Sequence, residues 1–366
     1  MLTFLIFVVV LGLLVFVHEL GHFIMAKRAG MKVEEFGFGF PPRLFGVKYK
    51  ETIYSLNWIP LGGFVKIFGE NGETDEAGSF RSKSFLQRFA VLIAGVTMNM
   101  ALAWFLLSIV FGIGVPTVLE TEDDAARAED VKVQVVDVAT SSPAEEAGLQ
   151  IGDEIRAVQG EAVESVEQAV SLVDARRGEE TELTLAFGDE ERTATVVPRA
   201  ETPEGEGALG IGLVRTGTLS YPWYEAIGRG FVSAFALLGT IVIAFGTIIV
   251  EIFSGAGVSA DLAGPVGIAV LTGQAAKLGI ASLLQFTAVL SVNLALINVL
   301  PLPALDGGRI LFAIIEKLRG KPVSQKTEGM VHTVGFVSLL VLMLAVTVRD
   351  VARFWDPIAN FFQNLF

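Results

Sequence analysis

Apolar residues run almost without interruption over Leu2 to Ala26, Phe89 to Val115, Ser282 to Leu302 and Val331 to Val348. About 20 such residues cross the hydrocarbon of a bilayer as a helix, so the pattern predicts four transmembrane spans. Gly230 to Ile252 is equally apolar and predicts a fifth helix at the membrane. Between the second span and that run the period changes. In "VKVQVVDVATSSPAEEAGLQIGDEIRAVQG" an alternating strand leads through a Ser-Pro turn to a short helix closed by Gly148, and "GDEI" opens another strand. "VESVEQAVSLVDARRG" sets Val166, Ala169, Val170 and Val173 on one helical face and stops at Gly178, and "TELTLAF" and "RTATVVP" are two more strands. The whole reads as an α-helical membrane protein with an inserted α+β domain.

Composition agrees with that class. Of 366 residues, 52% are hydrophobic and only 18% charged, with mean hydropathy +0.58, which is outside the soluble range. A net charge of −13 excludes a nucleic-acid binder, which needs a basic surface to displace counterions. Cysteine is absent, so there is no disulfide framework, and any metal must be held by histidine and carboxylate.

Charge also orients the chain. Glu120 to Glu206 carries 24 acidic against 7 basic residues, whereas Lys27 to Arg88 carries 10 basic against 7 acidic. Lys and Arg near span ends mark the cytoplasmic side. The loop after the first span and the loop holding Lys317, Arg319, Lys321 and Lys326 are then inside, and the acidic domain and the N-terminus outside. A full crossing by Gly230 to Ile252 would put the Lys317 loop outside, so that run is read as re-entrant or interfacial. The first run has no basic residues before it and Lys27 and Arg28 after it, so it reads as a retained anchor and not a cleaved leader.

Candidate chemistry sits inside the first span. "FVHELGHFIM" places His18, Glu19 and His22 among Phe, Val, Leu and Ile. At about 100° per residue the two histidines share one helix face and can reach one point, with Glu19 beside it. Two His at i and i+4 with an intervening Glu is the zincin arrangement, in which Glu acts as general base. Even on the most lenient scale an unpaired carboxylate in hydrocarbon costs about 2.5–3.5 kcal/mol, so three polar groups together need an internal partner.

A catalytic zinc takes three protein ligands. His332, the one remaining histidine, stands at the start of the last span with nothing around it of metal character. The carboxylates of the distal apolar half are Glu251, Asp261, Asp306 and Glu316. Of these, Asp306 alone lies in a stretch suited to presenting it, "NVLPLPALDGGRI", where Pro301 and Pro303 break the helix and Gly307 and Gly308 allow close backbone approach. Asp306 also suits the N-cap of "GRILFAIIEKL".

"KYKETIYSLNWIPLGGFVKIFGE" holds two apolar strands, Glu51 to Ile59 and Gly63 to Phe68, about the turn Pro60-Leu61-Gly62, and predicts a membrane-associated hairpin beside the site. A helical substrate hides its peptide bonds, so an edge strand at Gly63, Phe64, Val65 and Lys66 is placed to hold it extended.

Two resemblances follow. The inserted domain, with "SPAEEAGLQIGDEI" and its close at "ALGIGL", resembles a bacterial circularly permuted PDZ domain, which implies selection of a peptide or exterior segment by strand addition. His-Glu-Leu-Gly-His in the first span with "SVNLALINVLPLPALDGG", "FGFGFPPRLFG", "YSLNWIPLGGFVKI" and "GPVGIA" resembles the site-2 protease family of intramembrane zinc metalloproteases, in its regulator of sigma-E protease branch, over nearly the whole chain. That resemblance implies Zn2+ on His18, His22 and Asp306, Glu19 as general base, and Asn293, Asn298, Pro301 and Pro303 shaping the substrate-facing side of the Asp306 helix. It also implies a bacterial plasma membrane location with the PDZ domain extracytoplasmic. The chain departs from the family in having Gly95-Val96 where relatives carry Gly-Pro, and one PDZ domain where the best-known enterobacterial member has two. The expected divisions are 1–119, membrane core with hairpin; 120–215, PDZ; 216–280, linker with the fifth apolar helix; and 281–366, second membrane core.

The function expected is an intramembrane zinc endopeptidase cutting single-span membrane proteins, such as trimmed anti-sigma factors or signal-peptide remnants. A non-catalytic PDZ-bearing membrane adaptor has no use for the buried ionisable groups. A metal transporter predicts further polar residues along other spans, and few are seen.

Overall fold

A computed structural model describes residues 2–70, 74, 76–119, 121–187, 190–203, 205–254, 263–321 and 323–353. The chain forms two compact units, one from residues up to Val110 together with those from Trp223 onward, the other Phe111–Pro222. In chain order come α1 (Leu2–Arg28), β1 (Val33–Tyr49), β2 (Thr52–Ile67) and α2 (Phe85–Ile113). The inserted unit holds β3 (Val115–Val118), α3 (Glu122–Arg127), β4 (Glu129–Val138), α4 (Pro143–Glu146), β5 (Glu154–Val158), β6 (Glu161–Ala162), α5 (Val166–Asp174), β7 (Thr181–Phe187), β8 (Glu190–Val196) and β9 (Ile211–Leu219). The chain ends in α6 (Trp223–Ser254), α7 (Pro265–Lys277), α8 (Ile280–Val299), α9 (Asp306–Arg319) and α10 (Gln325–Arg353).

Among the described residues, α1, α2, α6, α8 and α10 are long and apolar enough to cross a membrane. The protein is a multi-pass membrane protein. Small residues set the helix contacts. Ala103, Ala234 and Ala288 are fully buried where α2, α6 and α8 meet, with Leu106, Leu107 and Val292. In hydrocarbon no hydrophobic effect drives helices together, so such close contact is what van der Waals attraction requires. Trp104 Nε1 adds a hydrogen bond to the Ile227 carbonyl, 2.9 Å.

The segment between α1 and α2 differs from the expected hairpin. Glu51 to Ile59 and Gly63 to Phe68 do not pair with each other. β1 bends at Pro41-Pro42 and β2 at Pro60-Leu61-Gly62, giving four legs whose order across the sheet is 63–67, 33–40, 52–59, 43–49. Phe36 pairs with Val65 on one side and Tyr54 on the other, and Gly37 with Phe64 and Ser55. The turn at 60–62 therefore carries the chain past the 33–40 leg. The reason is the contact with α1. Gly62, at φ +114, lies where a Cβ would come within 2.8 Å of Val15 Cγ1, and Phe16 and Phe23 stack against Phe36 at 5.5 and 4.7 Å. Leg 63–67 is left as an edge.

The inserted unit is a sheet in the order β3-β9-β4-β5-β7-β8, with β6 beside β5. It reaches past 120–215 at both ends because β3 pairs with the second half of β9, Val115 with Leu219 through Val118 with Thr216. Ser142 caps α4 by accepting from the Glu145 N–H, and Ser165 caps α5 through Gln168 N–H. Alternate residues Val135, Ile155, Leu183 and Leu185 make the core with Leu149 and Val173. Leu→Ala at such sites costs about 2–5 kcal/mol. Leu185→Ala is therefore expected to speed exchange of the buried Val135 and Ile155 amides by about 30-fold or more. Exchange unchanged from the parent would show that this core does not carry the unit's stability.

Candidate metal centre

His18 and His22 stand one turn apart on the buried face of α1, and Asp306 opens α9. Their atoms converge. His18 Nε2 lies 3.0 Å and His22 Nε2 3.2 Å from the same oxygen, Asp306 Oδ2, and the two ring nitrogens are 3.1 Å apart. Among the described residues this is the one group of three His, Cys, Asp or Glu side chains close enough to hold an ion. Both imidazoles are nearly inaccessible, at 6% exposure each.

Neighbouring backbone is shaped to that convergence. A Cβ on Gly95 of α2 would lie 2.5 Å from His22 Nε2 and 2.6 Å from His18 Cε1, so only glycine admits the two rings there. Gly21, between the histidines, sits where a Cβ would come 2.4 Å from the Ala94 carbonyl oxygen, so α1 and α2 cross in near backbone contact. His22 Nδ1 donates to the Val91 carbonyl at 2.8 Å, which leaves Nε2 to offer its lone pair to the centre. Gly307 and Gly308 do what their position suggested. A Cβ on either would meet a carbonyl oxygen of the preceding loop, Leu300 at 2.1 Å or Leu302 at 2.3 Å, so α9 begins folded tightly against the Pro301 to Pro303 segment. Asp306 is not a helix cap. Leu305 holds that position without a side-chain bond, and the Asp306 carboxylate turns to the histidines instead.

Glu19 faces the same space, and its Oε2 accepts the Val65 N–H at 3.1 Å. That amide points outward from edge leg 63–67. A polar cavity of about 380 Å³ is bounded by Glu19, His22, Asp306, Arg309 and the strand residues Phe64, Val65 and Lys66. Arg309, one turn after Asp306, is ion-paired with Glu70, and Lys66 with Glu34 at 2.8 Å. Gly63 is adjacent to Glu19, whose Cγ would be 3.9 Å from its Cβ.

Other expected residues lie elsewhere. Asn293, Asn298 and Pro301 do not line this cavity. Pro303 borders a separate apolar cavity of about 420 Å³, formed with Leu302, Met330, Val331 and Val334 of the loop and α10. His332 stands apart from the centre and accepts the Ala304 N–H at 2.8 Å. Ala304 has φ +74, so His332 holds a left-handed residue two positions before Asp306. Glu316 is engaged by Arg88 at 2.9 Å, Glu251 lies outside the group, and Asp261 falls outside the described residues. Sequence reasoning missed Asn99, Arg309 and Glu70, although Asn99 on an apolar span was a visible signal.

Comparison with known proteins defines the class of the molecule. Residues 6–342 match peptidase family M50, and the chain belongs to that family. It is 33% identical to the zinc metalloprotease RasP of Geobacillus kaustophilus, over 95% of this chain and 97% of that one. It is 31% identical to the regulator of sigma-W protease RasP of Bacillus subtilis, over 96% of this chain and 98% of that one. A PDZ domain of an SdrC-like protein from Listeria monocytogenes, 25% identical, aligns over 22% of this chain and 86% of that chain with a TM-score of 0.21.

Two imidazole nitrogens and one carboxylate oxygen, with no thiolate in the chain, fit a zinc site that keeps a position open. Gly95→Ala is expected to weaken binding of added Zn2+ at least about tenfold, measured by chelator competition. Gly239→Ala, where a Cβ meets nothing within 4 Å, serves as the control and is expected to bind as the parent does. Equal affinity in both would mean the α1–α2 approach is not what positions the rings.

Proposed function

We propose that this protein is an intramembrane zinc endopeptidase that cuts transmembrane segments of single-span membrane proteins. The observation carrying this reading is the meeting of His18 and His22 of the apolar α1 with Asp306 at the start of α9 on one point, with the Glu19 carboxylate beside it. Zinc, when bound, supplies Lewis-acid polarisation of a peptide carbonyl and lowers the pKa of water. His18, His22 and Asp306 would hold it. Glu19 takes the proton from the attacking water and returns it to the leaving amine.

The edge leg 63–67 supports delivery of an extended substrate. A transmembrane segment must leave its helix before its amides are open to attack, and in hydrocarbon those amides need new partners. A strand added to 63–67 finds them, and the Val65 N–H that holds Glu19 marks where the added strand and the base come together. When a substrate carbonyl takes that N–H, Glu19 is released to accept a proton. Asn293, Asn298, Pro301 and Pro303, which lie outside the cavity at the metal centre, would meet the substrate away from that cavity in this reading.

Loop charges support an N-terminus and PDZ unit outside, with the four-legged sheet and the Lys317 to Lys326 loop inside a bacterial plasma membrane. On that topology α6 is re-entrant or interfacial and does not cross fully. The PDZ unit selects substrates. The edge of β9 away from β4 is already paired at one end, since β3 pairs with residues 216–219 of β9 and Leu119 N–H bonds the Arg215 carbonyl at 2.8 Å. Among the described residues the 211–214 stretch of that edge remains for a ligand strand, which favours a short exposed end over a long loop. Anti-sigma factors already trimmed by another protease, or signal-peptide remnants, have that form. An adaptor without catalysis leaves the buried His-His-Asp group unexplained.

Glu19→Gln is expected to keep wild-type zinc content and lose cleavage of a model transmembrane substrate by about 10³-fold or more. Full activity in that variant would remove the general-base role. Val65→Pro, which deletes the outward N–H, is expected to cut cleavage more than about tenfold with zinc affinity unchanged, whereas Val65→Ala stays near wild type. Equal activity of the two variants would rule out strand pairing at this edge.

A further inference from the structure

Asn99 is fully buried in α2, one turn beyond Gly95, and its side chain stands 3.3 Å from His18 Nδ1. Ser291 of α8 donates to the Asn99 backbone carbonyl at 2.8 Å, so three helices meet at this residue. His18 directs Nε2 toward His22 and Asp306. A neutral imidazole has one N–H and one lone pair, and a nitrogen that faces a metal must present the lone pair. The His18 proton is then on Nδ1, which becomes a donor, and among the described residues the partner it finds is the Asn99 amide. The two ends of that amide have the same shape and differ only in hydrogen bonding. With Nδ2 toward His18, two donors confront each other and Oδ1 is a buried acceptor without a partner. With Oδ1 toward His18, the ring N–H is satisfied. His22 already shows the same arrangement, its Nδ1 bonded to the Val91 carbonyl.

We propose that Asn99 is the positioning residue of the metal centre: its side-chain carbonyl accepts the His18 Nδ1 proton, which fixes the tautomer and the ring plane so that Nε2 faces the ion. This rests on the reading of His18, His22 and Asp306 as zinc ligands. Asn99 touches neither substrate nor metal and acts through His18. A ligand histidine whose other nitrogen has lost its acceptor binds zinc more weakly, typically 10–100-fold.

The test uses the full-length protein in detergent and measures zinc affinity by competition with a chelator, together with thermal unfolding of the metal-free form. Asn99→Leu keeps the approximate volume and removes the acceptor, and zinc binding is expected to weaken by about 10–100-fold. Asn99→Asp can accept from Nδ1 but cannot donate to it, so its affinity is expected to equal or exceed that of the wild type. Ser291→Ala removes the neighbouring contact and is expected to leave affinity unchanged. Wild-type affinity in a folded Asn99→Leu protein overturns the proposal. If Asn99→Leu does not fold, Asn99→Asp decides alone, because a loss of about tenfold or more there would show that Asn99 serves as donor or spacer. Failure of the wild type itself to bind zinc would instead remove the reading of the centre on which this rests.

Discussion

The contact on which the membrane unit depends is the one between two imidazoles and a carboxylate in surroundings of Val, Leu and Phe. Separately, each of these groups is costly to bury, and a lone ionised carboxylate in a low-dielectric interior costs several kcal/mol. Together they supply one another with partners, and a divalent cation held among them would offset the carboxylate charge directly. The arrangement holds only while α1 and α9 are kept at contact distance, with His18 and Asp306 288 positions apart in sequence. Much of the surrounding structure can be understood as what keeps them there.

Small residues provide that closeness. Gly21 and Gly95 bring α1 and α2 into backbone contact, and the ring edges occupy the volume that a Cβ on α2 would take. Gly307 and Gly308 allow α9 to begin hard against the loop that precedes it, and His332 holds Ala304 in a left-handed conformation on the same loop. None of these four glycines bears chemistry. Each excludes a side chain where one would push a ligand away, which is why the centre tolerates glycine on spans whose helical propensity it lowers.

Legibility of the site in the sequence followed from how local each relation was. His18, Glu19 and His22 share one helical turn, so their joint geometry is a property of the α-helix and was readable without a fold. Asp306 was readable through its flanking Pro and Gly residues, since these mark a helix start that must approach something closely. The Asn99 contact with His18 and the Arg309 pair with Glu70 join residues 81 and 239 positions apart, and no periodicity announces such a partner. The strands on either side of Pro60-Leu61-Gly62 were recognised as strands, but their pairing was not. Alternation specifies which face of a strand is buried, whereas the choice of neighbour depended on α1 offering Phe16 and Phe23 to Phe36, and that placed leg 33–40 between the two.

The sheet and the centre are joined by a hydrogen bond whose consequences reach both. Val65 belongs to an edge, and an edge in or near hydrocarbon leaves amides unsatisfied unless something accepts from them. Glu19 accepts from one of them. The same bond relieves a second cost, because a buried carboxylate needs donors as much as a buried N–H needs acceptors. Two liabilities are thereby cancelled in the resting protein by a contact that an incoming strand must break. In the proposed function an added strand would bring its own carbonyl to the Val65 N–H and so displace Glu19 from that donor, beside the peptide bond to be cut. On that proposal, proton abstraction by Glu19 would be coupled to the pairing of a substrate strand with leg 63–67.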